Sequence, residues 1–389
     1  MTKQLIDNQR ILASILGFAV GDALGVPVEF KKREALKKTP IIDMEEFGSH
    51  NQPKGTWSDD TSMMLATMDS IGEKDDIIFE NIMNNYRKWL DEKSYTATNQ
   101  VFDVGIGTKR AIEKYKNGYK AVKCGSSDYY NNGNGSLMRI LPIALYASVN
   151  NYNEKEIVET LYYYSSMTHS HEISIMGCKI FCDYIKEIIE GNSPIEALEN
   201  ISNLDYDKYY DCSYQYNRIL SKKIIGLKEE EIKSSGFIVD TLEATIWCII
   251  NSNSFEEAVL KAVNLGEDTD TIGALTGCLA GLIYGLESIP EKWINSLQNK
   301  ELILKISEKY IRSLAKKKIE INEGDVVRLK NRDQEVYIEE INPIKNNIKY
   351  DYKGLIKKGD KIIEIYFNKR DIIQPEKKED NNEKRSMQL

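Results

Sequence analysis

Two short acidic clusters lie more than 200 residues apart, Ser58-Asp59-Asp60-Thr61 and Asp268-Thr269-Asp270-Thr271. Each combines hard carboxylate oxygens with hydroxyls, the donor types that share a divalent cation. Each also precedes an apolar helical run, where Ser, Thr and Asp cap the unpaired N–H groups of a first turn. A pair of plain helix caps is therefore the competing reading. A cap needs one oxygen, whereas carboxylates brought together repel by roughly 4 kcal/mol per close pair at an effective dielectric near 20. Two divalent ions would balance the four aspartates. Neither cluster holds His or Cys, and the whole chain has three histidines, so oxygen-only ligation selects Mg²⁺, Mn²⁺ or Ca²⁺ over zinc.

Other residues could share that chemistry. The segment Gly21-Asp22-Ala23-Leu24-Gly25-Val26-Pro27-Val28-Glu29-Phe30 leaves a helix at a glycine and delivers Glu29 just past Pro27, where an exposed loop glutamate is the plain alternative. In Asn132-Gly133-Asn134-Gly135-Ser136-Leu137-Met138-Arg139 a glycine-permitted turn opens a helix, a geometry suited to cradling phosphate, although such a turn occurs equally without a ligand. His169 and His171 follow Thr168 just before the helix that begins near Ile173, and capping or solvated histidine is their default. Cys178 and Cys182 share a helix face and read as core.

The elements that must position these groups are helical. Apolar residues at three and four spacing mark Ile11 to Leu24, Ser62 to Ile71, Phe79 to Leu90, Ile157 to Tyr164, Ile173 to Ile189, Thr241 to Ile250 and Phe255 to Leu265. Glycine ladders, Gly17, Gly21 and Gly25 in one helix and Gly273, Gly277, Gly281 and Gly285 in another, imply close backbone packing, since glycine costs about 1 kcal/mol inside a helix. The two helices are expected to pack closely near the site, with tight packing unrelated to chemistry as the equal alternative. After Lys316-Lys317-Lys318 the period changes. Val326-Val327-Arg328-Leu329, Glu335 to Ile341, Ile348 to Tyr352 and Lys361 to Phe367 read as short strands. The expected organisation is an all-α domain over 1–317, a small all-β, barrel-like module over 318–374 and a disordered charged tail over 375–389.

Composition narrows the partners. A net charge of -8 over 389 residues opposes a general nucleic-acid-binding surface. Six cysteines without a C-x-x-C pair fit free thiols in a reducing cytosol, so a cytoplasmic protein is expected. Residues Met1 to Arg10 lack a signal-peptide layout, and the small-apolar run Ile272 to Leu286 is short for the ~20 residues of a membrane span, so no membrane partner is expected. A monomer is the expected state.

Five motifs in this order resemble the ADP-ribosylglycohydrolase family, which includes dinitrogenase reductase-activating glycohydrolase and the ADP-ribosylarginine hydrolases. They are Gly21-Asp22-Ala23-Leu24-Gly25 with Glu29, Gly55-Thr56-Trp57-Ser58-Asp59-Asp60-Thr61-Ser62-Met63, Gly133-Asn134-Gly135-Ser136-Leu137-Met138-Arg139, Thr168-His169, and Asn264-Leu265-Gly266-Glu267-Asp268-Thr269-Asp270-Thr271. The likeness spans about Asn8 to Leu297 and leaves the β module outside. It implies an orthogonal all-α bundle around two Mg²⁺ or Mn²⁺ ions, with Ser58, Asp59, Asp60, Asp268, Asp270 and Thr271 at the ligand positions. It also implies catalytic roles among Glu29, Asp59 and Asp60, and an ADP-ribose site at Gly133, Asn134, Gly135, Ser136, Met138 and His169. Many members have Thr at Ser58, which keeps the hydroxyl, and Gly at Glu267, where this chain adds a carboxylate. The implied reaction is hydrolysis of the bond between ADP-ribose and an acceptor, foremost a protein side chain such as arginine. The rivals are ADP-ribosyl-serine, an ADP-ribosylated nucleobase, a small conjugate, or capture of an ADP-ribosylated target without turnover, as by an immunity protein against an ADP-ribosylating toxin.

Overall fold

The computed structural model describes residues 7–315 and, beyond them, 323–324, 326–329, 335–341, 343–345, 348–349, 352–358, 361–367 and 372–373. The chain divides into two compact units, 1–316 and 317–389. The first opens with α1 (Asn8–Gly25), α2 (Arg33–Lys38), α3 (Asp59–Lys74), α4 (Phe79–Glu92) and α5 (Ile106–Lys116). Next come α6 (Leu141–Val149), α7 (Glu154–Ser166), α8 (Glu172–Ile189), α9 (Pro194–Ser202) and α10 (Asn217–Leu220). It closes with α11 (Ile238–Ile250), α12 (Phe255–Val263), α13 (Thr269–Tyr284), α14 (Glu291–Ser296) and α15 (Lys300–Ala315).

Each helix anticipated from apolar spacing is present, and local chemistry sets several starts. In α7 the Asn153 side chain accepts the Glu156 N–H at 3.0 Å while Glu156 accepts the Asn153 N–H at 2.8 Å, a reciprocal capping box. Ser193 and Glu196 do the same for α9, with Pro194 in its first turn.

Helices α1 and α13 form the most extensive pairing in the unit and run through its centre. Their glycines meet: a Cβ on Gly17 would collide with the Gly277 carbonyl oxygen, one on Gly21 with that of Gly273, and one on Gly25 with the Asp270 backbone. The seam thus leads from helix body to the acidic start of α13. Gly285 is not part of it. It ends α13 at φ 82°, with open space where a Cβ would stand. Residues 8–28, α1 and the turn beyond it, are long and apolar enough to cross a membrane by length and composition, and nearly all of that segment is buried within the unit. A helix apolar on every side suits a position at the centre of a bundle.

In the second unit β1 (Val326–Leu329), β2 (Glu335–Ile341), β3 (Ile344–Lys345), β4 (Ile348–Lys349), β5 (Tyr352–Lys358), β6 (Lys361–Phe367) and β7 (Ile372–Ile373) follow in turn. Five of them make an antiparallel sheet in the order β6-β5-β2-β1-β7, and β3 and β4 form a separate pair. Val327, Leu329, Val336, Ile338, Tyr352, Ile356 and Phe367 make its core. The segment Ile348 to Tyr352, read as one strand, is divided: Ile348–Lys349 pairs with β3, whereas Tyr352 opens β5 and pairs with β2 and β6. Barrel closure is not among the pairings of the described residues. The tail 375–389 lies outside the described residues.

Candidate metal centre and active site

The first acidic cluster begins α3. The Ser58 hydroxyl caps the helix by accepting the Asp60 N–H at 3.2 Å. The second acceptor comes from α1: the fully buried Asp22 carboxylate takes the Ser58 N–H at 2.9 and 3.1 Å, the Thr61 N–H at 3.1 Å and the Thr61 hydroxyl at 2.6 Å. Negative charge there also complements the positive end of the helix dipole. Because Ser58 and Asp22 serve the first turn, Asp59 and Asp60 are released from capping. Asp60 Oδ2 is buried without a hydrogen-bond partner.

The second cluster begins α13 differently. Asp268 stands at the cap position, but its side chain caps nothing and instead accepts Asn134 Nδ2 at 2.6 Å. The Thr269 hydroxyl donates to the Gly25 carbonyl at 2.8 Å, fixing this turn to the end of α1. Asp270 Oδ1 is a second buried oxygen without a partner.

Carboxylates from three segments converge here. Oxygens of Glu29, Asp268 and Asp270 lie within 4.8 Å of one another, and Glu29 forms a second such group with His50 and Asp103. Glu29 is buried, not the exposed loop residue that its place after Pro27 suggested, and its Oε2 is hydrogen-bonded to His50 Nε2. The backbone enforces this: Phe30, at φ 65°, donates its N–H to the Glu267 carbonyl at 2.7 Å, and Glu267, at φ 62°, returns its N–H to Lys31 at 2.8 Å. Left-handed backbone favours glycine at position 267. The Glu267 side chain itself points out as an exposed group.

Burial dominates the electrostatics. It pushes Asp59, Asp60 and Asp270 well above the ordinary carboxylate range, and the neighbouring carboxylates add to the rise. Asp268 is raised by burial against the opposing hydrogen bonds of Asp270, Thr271 and Asn134. Burial lifts Asp22 to about 6 against four hydrogen bonds, and Glu29 to about 7 against the His50 contact. Burial pulls His50 down, but the hydrogen bond and charge of Glu29 outweigh it and the imidazole rises. Two orphaned carboxylate oxygens, in a cluster crowded enough to favour protonation, fit a hard divalent cation, whose charge would oppose the rise of the carboxylates that hold it.

The ADP-ribosylglycohydrolase family model matches residues 3–320. The chain belongs to the ADP-ribosylglycohydrolase family. It is 30% identical over 303 residues to the ADP-ribosylarginine hydrolase Tri1 of Serratia proteamaculans, covering 76% of this chain and 77% of that one. It is 28% identical to the ADP-ribosyl-[dinitrogen reductase] glycohydrolase of Rhodospirillum rubrum, covering 75% of this chain and 92% of the relative. A solved chain titled ADP-ribosylglycohydrolase-related protein complex superposes with a TM-score of 0.66 at 27% identity, covering 79% of this chain and 98% of that one.

Within this ADP-ribosylglycohydrolase fold, the Gly133–Ser136 loop reaches the acidic centre through Asn134, whose Nδ2 also donates to Thr241 at 3.0 Å. The loop forms a single 3-10 turn, Asn134–Ser136, and α6 begins only at Leu141. Gly135 packs on the His169 ring, where a Cβ would stand 2.6 Å from Cε1. Ser136 and Met138 are buried, and the Ser136 hydroxyl is 3.5 Å from the Cys178 thiol. His171 is the cap of α8, accepting the Ile173 N–H at 3.2 Å, whereas His169 is buried and caps nothing.

Asp22, His50 and Asp103 carried no assigned role in the sequence reading. A carboxylate inside an otherwise apolar helix was the available signal for Asp22. His50 and Asp103 lie in irregular segments and had none.

Proposed function

We propose that the protein is a metal-dependent hydrolase that removes ADP-ribose from modified protein side chains, with ADP-ribosylarginine as the foremost substrate. The observation that carries the reading is a buried oxygen lacking a partner on each of Asp60 and Asp270, from helix starts more than 200 residues apart, with the Thr271 hydroxyl bonded to Asp60 and the charge of Asp60 acting on Asp270. The proposed substrate is supported by the relatives named ADP-ribosylarginine hydrolase and ADP-ribosyl-[dinitrogen reductase] glycohydrolase. Ser58, Asp59, Asp60, Asp268, Asp270 and Thr271 would hold two Mg²⁺ or Mn²⁺ ions. When bound, such ions supply positive charge that grips ribose hydroxyls and lowers the pKa of bound water.

The chain's own groups do the rest. Glycoside cleavage builds oxocarbenium character at the anomeric carbon, and carboxylates beside it stabilise that charge more strongly in the transition state than in the bound substrate. Glu29 is the water-activating group in this reading. Its oxygens lie within 4.8 Å of those of Asp268 and Asp270, and His50 holds it by a direct hydrogen bond. Asp59 and Asp60 remain with the cations. Asn134 braces Asp268 and thereby fixes the Gly133–Ser136 loop, which, with Met138 and His169, forms the wall against the ADP-ribosyl group.

The test is incubation of the full chain with ADP-ribosyl-arginine, ADP-ribosyl-serine and ADP-ribosylated DNA, with and without Mg²⁺, following free ADP-ribose. Metal-dependent release from the arginine conjugate is the expected result. Release from another conjugate alone would move the acceptor assignment. Tight binding of every conjugate without release would replace hydrolysis by capture.

A further inference from the structure

Arg139 is fully buried and, among the described residues, makes no ion pair with a carboxylate. Its guanidinium lies over the rings of Tyr86 and Tyr164, at 5.1 and 4.4 Å from their centroids. Its Nε donates to the Gly135 carbonyl at 3.0 Å, Nη1 to the Tyr86 hydroxyl at 3.1 Å, and Nη2 to the Thr168 hydroxyl at 2.7 Å. Thr168 Oγ1 in turn lies 2.9 Å from His169 Nδ1. A guanidinium only donates, so Thr168 must accept from Arg139. Thr168 is itself fully buried, and among the described residues its hydroxyl has no other hydrogen-bond partner. If Nδ1 carried a proton, the Thr168 hydroxyl hydrogen would be buried without an acceptor, which costs more than the hydrogen bond it replaces. The hydroxyl therefore donates to Nδ1, and the ring proton sits on Nε2.

Nε2 has no hydrogen-bond partner among the described residues. It faces glycines: a Cβ on Gly107 or on Gly135 would stand 3.3 Å from it, and one on Gly133 3.8 Å. Asn131 Nδ2, a buried donor without a partner, would be 3.4 Å from the same Gly107 Cβ. Asn131 Oδ1 and Thr108 Oγ1 line the same wall, 2.9 and 3.2 Å from where Cβ atoms on Gly107 and Gly135 would stand, and neither is hydrogen-bonded to Nε2, so the two unpaired donors are left for an acceptor oxygen of a ligand. Burial, then the charge of Arg139, hold His169 down at about 3, so the ring is neutral at any working pH.

We propose that Arg139 and Thr168 form a positioning relay that locks His169 as the Nε2–H tautomer, aiming a neutral donor at an oxygen of the bound ADP-ribosyl group. The ligand part rests on the function proposed above, whereas the tautomer does not. Three histidines make the ¹⁵N spectrum of the histidine-labelled full chain sparse, and His169→Gln and His171→Gln assign it. The free protein should show Nδ1 as the unprotonated nitrogen of His169 and Nε2 as the protonated one. Thr168→Val should abolish that fixed pattern and weaken ADP-ribose by about tenfold, raising KM more than it lowers kcat, whereas Thr168→Ser should restore both. Added ADP-ribose should move the Nε2–H resonance. A proton on Nδ1 in the wild type, or an unchanged pattern in Thr168→Val, would overturn the relay, and the wild-type and Thr168→Ser spectra decide it even if the valine variant does not fold. Bound ADP-ribose that leaves Nε2 unmoved would overturn the donor role. No binding of ADP-ribose at all would overturn the function and the donor role together while leaving the tautomer result standing.

Discussion

Helices α3 and α13 open with the same pattern of hydroxyls and carboxylates, and they satisfy their first turns by different means. The start of α3 is served by its own Ser58 and by Asp22 from another helix, so the Asp59 and Asp60 carboxylates become available at no loss to the helix. The start of α13 has no side-chain cap, and Asp268 is turned toward Asn134 instead. Capping and ligation compete for the same oxygens. The difference teaches that a borrowed acceptor, Asp22, is what allows an acidic helix start to serve as something other than a cap, while at α13 the glycine seam and the Thr269 hydroxyl hold the turn in place of one.

The largest expected effect falls where the two starts converge. Asp60→Asn and Asp270→Asn should each lower turnover by at least ~100-fold, with little further loss in combination, because the pair acts as a unit. Near-wild-type rates in both would place the two clusters outside the catalytic machinery. Glu29→Gln should match that loss in turnover yet retain the thermal shift on adding Mg²⁺, separating the water-activating role from cation binding.

The next contrast concerns stability. Asp22→Ala removes the acceptor for two N–H groups and one hydroxyl in a buried site, and should cost about 2 to 3 kcal/mol by chemical denaturation. Asp268→Ala removes no cap, relieves repulsion without metal, and should cost under about 1 kcal/mol. Equal losses would erase the distinction between the two starts.

A smaller effect should appear in the pH dependence of metal-free protein. Asp22 and Glu29 have folded pKa values of about 6 and 7, above their ordinary values, and Asp59, Asp60 and Asp270 are raised as well. Between the ordinary carboxylate range and pH 7 the folded state therefore holds more protons than the unfolded state, and stability falls as pH rises through that window. Melting temperatures from pH 4.5 to 7.5 should decline without metal, and saturating Mg²⁺ should flatten or reverse the slope. Both acidic starts lie in the first unit, so ending the chain near Lys318 should leave hydrolysis of a small ADP-ribosyl substrate unchanged and affect only a macromolecular one. Loss of activity on the small substrate would tie the strand unit to the site.

Much of the helical unit was legible because its cues are local. Apolar spacing gave helices such as α4 and α8, and the glycines at 17, 21, 25, 273 and 277 foretold the α1–α13 seam. The acidic clusters marked a buried group of carboxylates for the same reason. What escaped was supplied by the fold. Asp22 reads as one polar residue in a buried helix until α3 is laid against it, and His50 and Asp103 gain meaning only beside Glu29. Left-handed backbone at Phe30 and Glu267 buries Glu29, and no side-chain pattern announces it. Between Ile348 and Tyr352 a continuous run concealed a change of partner strand, which alternation cannot register.

The most direct measurement is ADP-ribose release from ADP-ribosyl-arginine by full-length protein after exhaustive chelation and again after addition of Mg²⁺, Mn²⁺ or Zn²⁺. Turnover should be abolished by chelation and restored by Mg²⁺ or Mn²⁺ but not by zinc, since the converging ligands are hard oxygens. Turnover that persists through chelation would contradict the account.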